Sequence, residues 1–319
     1  MMLTPASFSR AQEFLLQHAR PLERALYRFH FENAPAAEVR SALAAFQNED
    51  GGFGRALEPD FRLPASSALA TSLGFQYLRE AGIPARDPMV RAAVRWTQAA
   101  FDRALDRWPA VPPVVNDWPH APWWTWTEPG NPGFTANPGI EFVAHFWRYR
   151  EAVDPAFMSE ITARAQDLIT RLPARPEMHD LICVIHLAET PSVPANLRNQ
   201  AANGVRRAGP VIVARDPEAW MGYGVKPLLL APRADSLLAP LLGDAVATNL
   251  DFEINRQGED GAWMPNWNWG GLFSGDWPQA EREWKGVLTL QALLALRSYG
   301  RLSSVEHEAV GSAYSLAGV

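Results

Sequence analysis

The string Glu58-Pro59-Asp60 places two carboxylates two residues apart, with a proline between them that stiffens the backbone. Buried together, such a pair keeps one carboxyl protonated through loss of solvent and through its neighbour's charge, which is what a general acid requires. Asp60 and Glu58 are therefore the first candidates for acid–base work. The competing use is as helix caps, or as ion-pair partners for Arg55 and Arg62 on either side. Asp117 and His120 lie in a Pro- and Trp-rich stretch and form a second candidate pair, since an imidazole titrates near neutrality. Asp276, followed by Glu281 and Glu283, stands before the last helical stripe, where negative charge meets a helix N-terminus favourably. His179, Cys183 and His186 fall on one helical face at spacings of four and three. Three ligands crowded on one helix rarely make a closed site, so Cys183 reads as a small buried residue and no metal site is expected.

The 13 tryptophans are unevenly spread: five fall between Trp108 and Trp126 and five between Trp263 and Trp284. Helical periodicity does not account for Trp118, Trp123, Trp124, Trp126, Trp267, Trp269, Trp277 and Trp284. Their faces suit a cavity that holds an apolar chain, stabilises a carbocation or stacks on sugar rings. The competing use is to fill large gaps between helices. Phosphate loops, dinucleotide fingerprints, Gly-x-Ser-x-Gly nucleophiles and zinc-protease helices do not occur in the sequence.

Composition narrows the class. With 319 residues, 47% of them hydrophobic, the chain can bury a sizeable core. A formal net charge of -6 and the lack of a basic cluster argue against a nucleic-acid partner, because phosphates need a cationic face. The single cysteine excludes an intramolecular disulfide framework. The N-terminal residues lack the basic start and apolar stretch of a secretory signal, so a cytoplasmic location is expected. Apolar runs such as Leu228 to Leu230 and Leu181 to Ile185 are far short of a membrane span, and no transmembrane segment is expected.

The elements that must position these side chains read as helices almost throughout. Val39, Leu43 and Phe46 make one apolar stripe, and Leu69, Leu73 and Tyr77 make the next. Asp87-Pro88, Asn137-Pro138, Asp154-Pro155 and Asp216-Pro217 each set a capping oxygen before a proline suited to the first helical turn. Gly82 and Gly300 mark left-handed helix ends, and Ser303 with Glu306 reads as a capping box opening a final helix. Helix pairs are expected at about 138–150 with 155–171, 177–189 with 195–208, and 218–230 with 241–256. The prediction is an all-α chain of about ten to twelve helices forming one domain over residues 1–319.

Two distant segments match without a gap: Gln47-Asn48-Glu49-Asp50-Gly51-Gly52-Phe53 and Gln257-Gly258-Glu259-Asp260-Gly261-Ala262-Trp263. Each follows a helical stripe and precedes a Pro-containing loop and a second helix. Locally the pattern is a staple, in which glutamine satisfies orphaned carbonyls, Asp-Gly turns the chain and the aromatic packs over the junction. These segments resemble the Q-x-x-D-G-x-W repeats of the terpenoid cyclase and protein prenyltransferase superfamily. The resemblance implies an (α/α) toroid of outer and inner helices, in which loops leading into the inner helices line a central apolar cavity. It places 57–62, 116–126 and 267–284 near one mouth. The family's acid motif D-x-D-D and its magnesium motif D-D-x-x-D are both missing, as is the D-x-C string of its zinc enzymes. No cofactor is predicted, and nothing in the residues supports the magnesium or zinc that the family uses.

Three functions follow as expectations. The first is a terpene cyclase- or prenyltransferase-like enzyme on an isoprenoid or similar apolar substrate, with Asp60 or Glu58 as proton donor and the tryptophans as cavity wall. The others are a carbohydrate-active toroid, since paired carboxylates and Trp platforms serve that chemistry too, and a noncatalytic lipid or peptide binder. A diphosphate needs clustered cations, and only Arg55 and Arg62 are near the expected mouth. Whether the chain has a protein partner is left open by the sequence.

Overall fold

The computed structural model describes residues 1–128 and 130–303. Twelve α-helices are found among them: α1 (Pro5–His18), α2 (Pro21–Phe31), α3 (Ala36–Ala44), α4 (Ala68–Glu80), α5 (Pro88–Ala99), α6 (Gly139–Arg148), α7 (Pro155–Thr170), α8 (Met178–Ala188), α9 (Ala195–Ile212), α10 (Pro227–Leu230), α11 (Ala239–Asn255) and α12 (Trp277–Ser298). Only isolated bridges interrupt the helical pattern in the described residues, so the chain is all-α. The capping box of Ser303 with Glu306, and the helix it would open, lie outside the described residues.

Local chemistry sets most boundaries. Asp87 accepts from Met89 N at 2.8 Å and Asp154 from Phe157 N at 2.8 Å, each ahead of a proline at the helix start. Gly82 and Gly300 close α4 and α12 with φ of 66° and 64°. Two predictions need correction. Asn137 does not cap α6; its backbone N–H instead donates to Asp180 Oδ1 at 3.2 Å. The helix expected over 218–230 is a short 3-10 turn at Pro217–Met221 followed by the single turn of α10. Gly222, Gly224 and Pro227 break the run, which apolar periodicity does not register.

Helices α12, α2, α4, α6 and α8 meet their neighbours in that order, side by side and in parallel. Between α2 and α4, Glu23 lies near Tyr77 and His30 bonds Glu80. Between α4 and α6, Phe75 stacks on His145 and Arg79 O accepts from Arg148. Asn137 and Glu141, before and within α6, meet Asp180 and His186 of α8 in the same order. Glu283 and Arg297 of α12 meet Arg20 and His30 at the two ends of α2. Odd-numbered helices pack against them, and α12, the last helix of the described residues, packs on both α1 and α2.

The paired motif builds the joints of this arrangement. Gln47 Nε2 donates to Gly51 O at 2.9 Å and to Met89 O of α5 at 3.0 Å; Gln257 Nε2 donates to Gly261 O at 2.9 Å and to Ser7 O of α1 at 2.9 Å. Thr71 and Thr289, on the following helices, accept from Phe53 N and Trp263 N at 2.9 and 3.0 Å. Each clasp thus ties one odd helix to the next, α3 to α5 and α11 to α1. Gly51 and Gly261 have φ of 96° and 84°. A Cβ on either would stand 2.6 Å from Ala92 O or 2.4 Å from the Arg10 carbonyl carbon, so glycine is required for the approach.

Candidate functional site

Residues 54–62 form an irregular turn ahead of α4. Arg55 and Ala56 are both left-handed, with φ of 54° and 58°, a conformation non-glycine residues adopt only under outside support. That support comes from Arg20, at the start of α2. Its Nη1 donates to Ala56 O at 2.9 Å and Leu57 O at 3.1 Å, while Nε and Nη2 grip Glu23 at 2.9 and 2.6 Å. Burial opposes the Arg20 charge, but pairing with Glu23 outweighs it and holds the guanidinium charged. A two-bond clip fixes the other side of the turn: Arg62 N donates to Pro119 O and Ala121 N to Asp60 O, both at 2.7 Å.

This frame buries the two carboxylates that the sequence singles out. Glu58 is 6% exposed and Asp60 3%. Glu58 Oε2 accepts from Asp60 N at 2.5 Å, turning the string back on itself. Burial, and then the charge of Asp60, push the Glu58 carboxyl well above the usual carboxylate range. Asp60 is also raised by burial, but tryptophan indoles oppose the shift. Trp269 Nε1 donates to Asp60 Oδ1 at 2.8 Å and Trp267 Nε1 to Oδ2 at 3.2 Å. The indole N–H of Trp284 has no partner at bonding geometry, yet it too lies near enough to favour the Asp60 anion. Trp267 stands edge-on to Trp284 at 5.1 Å, and Trp269 meets Trp277 at 5.7 Å. The result is a buried carboxylate held by indole donors, beside a second carboxyl whose ionisation burial disfavours.

Other candidate residues separate from this centre. Arg62 binds Glu283 through two bonds of 2.6 and 3.0 Å, and Arg55 is exposed and bonds Asn48, so neither arginine pairs with Glu58 or Asp60. His120 is buried, with Nδ1 2.6 Å from Trp118 O and Nε2 3.0 Å from Thr125 Oγ1. Both nitrogens are engaged in holding their own loop, which leaves the ring no free atom for proton transfer. Asp117 is exposed on a 3-10 turn. Asp276 occupies the position before α12 without a side-chain capping bond. Trp277 and Trp284 belong to α12 rather than to the loop ahead of it. Trp118 and Trp123 are exposed, while Trp124 packs edge-on to Phe61 at 5.7 Å and meets the Trp269 cluster. Trp123, Trp124 and Trp126 line a separate cleft of about 600 Å³ with Trp96, Asp102 and Arg107.

A second buried polar cluster was not legible as such. Glu141 of α6, 2% exposed, accepts from His186 Nδ1 of α8 at 2.6 Å, and His145 Nε2 lies 3.2 Å from its other oxygen. Despite burial, the two imidazoles hold Glu141 well below the usual carboxylate range. Burial pushes His145 down and the Cys183 thiol up. His179, expected beside Cys183 and His186, pairs with Glu177 instead. No group of three or more His, Cys, Asp or Glu among the described residues is arranged to hold a metal ion. The signal available in sequence was the i, i+4 spacing of Glu141 and His145.

The chain matches no protein-family model, no curated protein and no solved structure. Among the described residues no helix is long and apolar enough to cross a membrane.

Proposed function

We propose that the chain is an (α/α) toroid of the terpenoid-cyclase type and an acid–base enzyme, acting on an isoprenoid or similarly apolar substrate that carries no diphosphate. The parallel packing of α12, α2, α4, α6 and α8 and the two motif clasps, one joining α11 to α1, support the toroid. The observation that carries the reaction class is the convergence of Trp267 and Trp269 N–H groups on the Asp60 carboxylate. Indole donors stabilise the conjugate base and so make a protonated Asp60 a better proton donor. Burial raises the Glu58 carboxyl, which disfavours a second negative charge beside Asp60. The indole rings gathered at Asp60, Trp267 with Trp284 and Trp269 with Trp277, suit a substrate that develops positive charge once protonated. Arg20 and Arg62 are spent on Glu23 and Glu283, which leaves them unavailable to a diphosphate.

The test is incubation of the purified protein with isoprenoids, with and without diphosphate and with and without magnesium or zinc, followed by product mass spectrometry. A rearranged, diphosphate-free product formed by the wild type and lost in Asp60→Asn supports the reading. Turnover confined to diphosphates refutes it. The Trp96–Trp126 cleft, with its polar rim, favours a second reading in which the substrate is a sugar chain; hydrolysis of oligosaccharides by the same sample would establish it.

A further inference from the structure

The Trp-rich stretch 116–128 and the end of α5 build a cleft that the Asp60 chemistry does not use. The stretch is clipped in two places. Asn116 Oδ1 accepts from Trp126 N at 2.8 Å, and Asn116 Nδ2 donates to Trp126 O at 3.0 Å. His120, with no free atom for catalysis, ties Trp118 O and Thr125 Oγ1 into one turn at 2.6 and 3.0 Å. On α5, Trp96 Nε1 donates to Asp50 Oδ2 at 3.0 Å, and Gly52 leaves its ring room, since an added Cβ would stand 2.7 Å from it. Trp96, Trp123, Trp124 and Trp126 are thereby set around a cleft of about 600 Å³, a size usual for small-ligand sites. Rings held in place before a ligand arrives lose little freedom on binding it.

We infer that this cleft is a binding site for a neutral oligosaccharide, which it holds without cleaving. Asp60 plays no part in this assignment, which narrows the sugar reading of the cleft from substrate to bound ligand. Among the described residues none of the four rings stacks on another, and Trp124 meets Phe61 instead. They are separate platforms, suited to successive rings of an extended ligand rather than to a cage around one cation. Arg107 and Glu128 also line the cleft, and neither side chain bonds any described residue. A hydroxyl both donates and accepts, so the edge of a sugar answers guanidinium and carboxylate alike while its face lies on indole. An apolar chain would strip water from both charges and give nothing back. Cleavage of a glycosidic bond takes two carboxyl groups acting on it. Asp102, the other carboxylate lining the cleft, is committed to its own turn, with Oδ1 accepting from Ala104 N at 2.8 Å and Leu105 N at 2.9 Å. Only Glu128 is left without a structural task, so the cleft recognises and does not cut.

The probes are neutral hexasaccharides of glucose, xylose and mannose, a proline-rich decapeptide and a fifteen-carbon isoprenoid alcohol. Each is titrated into full-length protein carrying ¹⁵N-labelled tryptophan, followed by nuclear magnetic resonance, and the sugars are recovered and sized afterwards. The expected result is a saturable shift of the Trp123 and Trp126 indole signals with at least one hexasaccharide, an unmoved Trp267 signal, and sugar recovered at full length. Trp123 is 49% exposed, so Trp123→Ala keeps the fold and should weaken binding about tenfold or more. Arg107→Gln should weaken it too, whereas Trp118→Ala, which removes an exposed indole that does not line the cleft, should not. Shifts with the peptide or the alcohol but with no sugar overturn the ligand class, and silence with every probe overturns the site; both results leave the Asp60 reading standing. Equal affinity in the wild type and Trp123→Ala overturns the placement. Shortened sugar overturns binding without cleavage and establishes the hydrolytic reading instead.

Discussion

Replacing Gly261 by alanine probes the joint on which the closure of α11 onto α1 depends. Two costs apply. The left-handed backbone, at φ 84°, costs a non-glycine residue about 1–2 kcal/mol. The new Cβ would also stand 2.4 Å from the Arg10 carbonyl carbon and 2.5 Å from its oxygen, which are backbone atoms that cannot swing aside. Forcing extra volume into such a contact costs about 1–3 kcal/mol, for a total of roughly 2–5 kcal/mol. Gly271 supplies the control, because its φ is 88° but nothing stands within 4 Å of the added carbon. Gly271→Ala should therefore lose only the backbone part, about 1–2 kcal/mol. Equilibrium urea unfolding of the two variants measures the difference. Equal losses, within ~0.5 kcal/mol, would refute the argument that close approach to α1 is what requires glycine at 261.

Three further outcomes follow from the same geometry. Gln257→Ala removes two hydrogen bonds, one within its own turn to Gly261 and one to Ser7 O of α1, and should cost about 1–3 kcal/mol in urea unfolding; Gln47→Ala should match it, and a near-zero loss in either contradicts the staple. Glu58 is raised in the folded state, so the fold holds its proton more tightly than the unfolded chain does, and its contribution to stability falls as pH rises above the ordinary value of 4.5. Glu58→Gln should flatten that fall in unfolding curves taken across pH, and an unchanged slope sinks the assignment. Glu141 is lowered, so its contribution is full above its unfolded value and is lost on acidification. Glu141→Gln should therefore remove stability at neutral pH and little at low pH, and a uniform loss would contradict the dyad.

What was legible in the sequence was what short-range chemistry decides. Asp87 and Asp154 cap the helices that their prolines open, and Gly82 and Gly300 end theirs, because all the participating atoms lie within one helical turn. The Gln–Asp–Gly–aromatic pair was legible as a joint because half of each clasp is local, from Gln47 to Gly51 and from Gln257 to Gly261. The carboxylates Glu58 and Asp60 could be singled out by spacing, but their partners could not. Trp269 lies 209 residues from Asp60, and Glu283 lies 221 residues from Arg62, so the arginine expected to answer Asp60 serves another acid. His120 illustrates the reverse error. Its type suggested acid–base work, whereas loop geometry brings Trp118 O and Thr125 onto both ring nitrogens. Residues 218–230 carry helical apolar spacing but also two glycines and a proline, and backbone preference prevailed.

Deuterium uptake tests the role of Asp60 most directly. Turnover of a diphosphate-free isoprenoid in deuterated water should place one solvent-derived deuterium in the product when the wild type acts. Asp60→Asn should abolish product, and Trp269→Phe, which removes the 2.8 Å donor to Asp60, should slow it without abolishing it. Product formed at the wild-type rate by Asp60→Asn, or product containing no solvent deuterium, would contradict Asp60 as the acid.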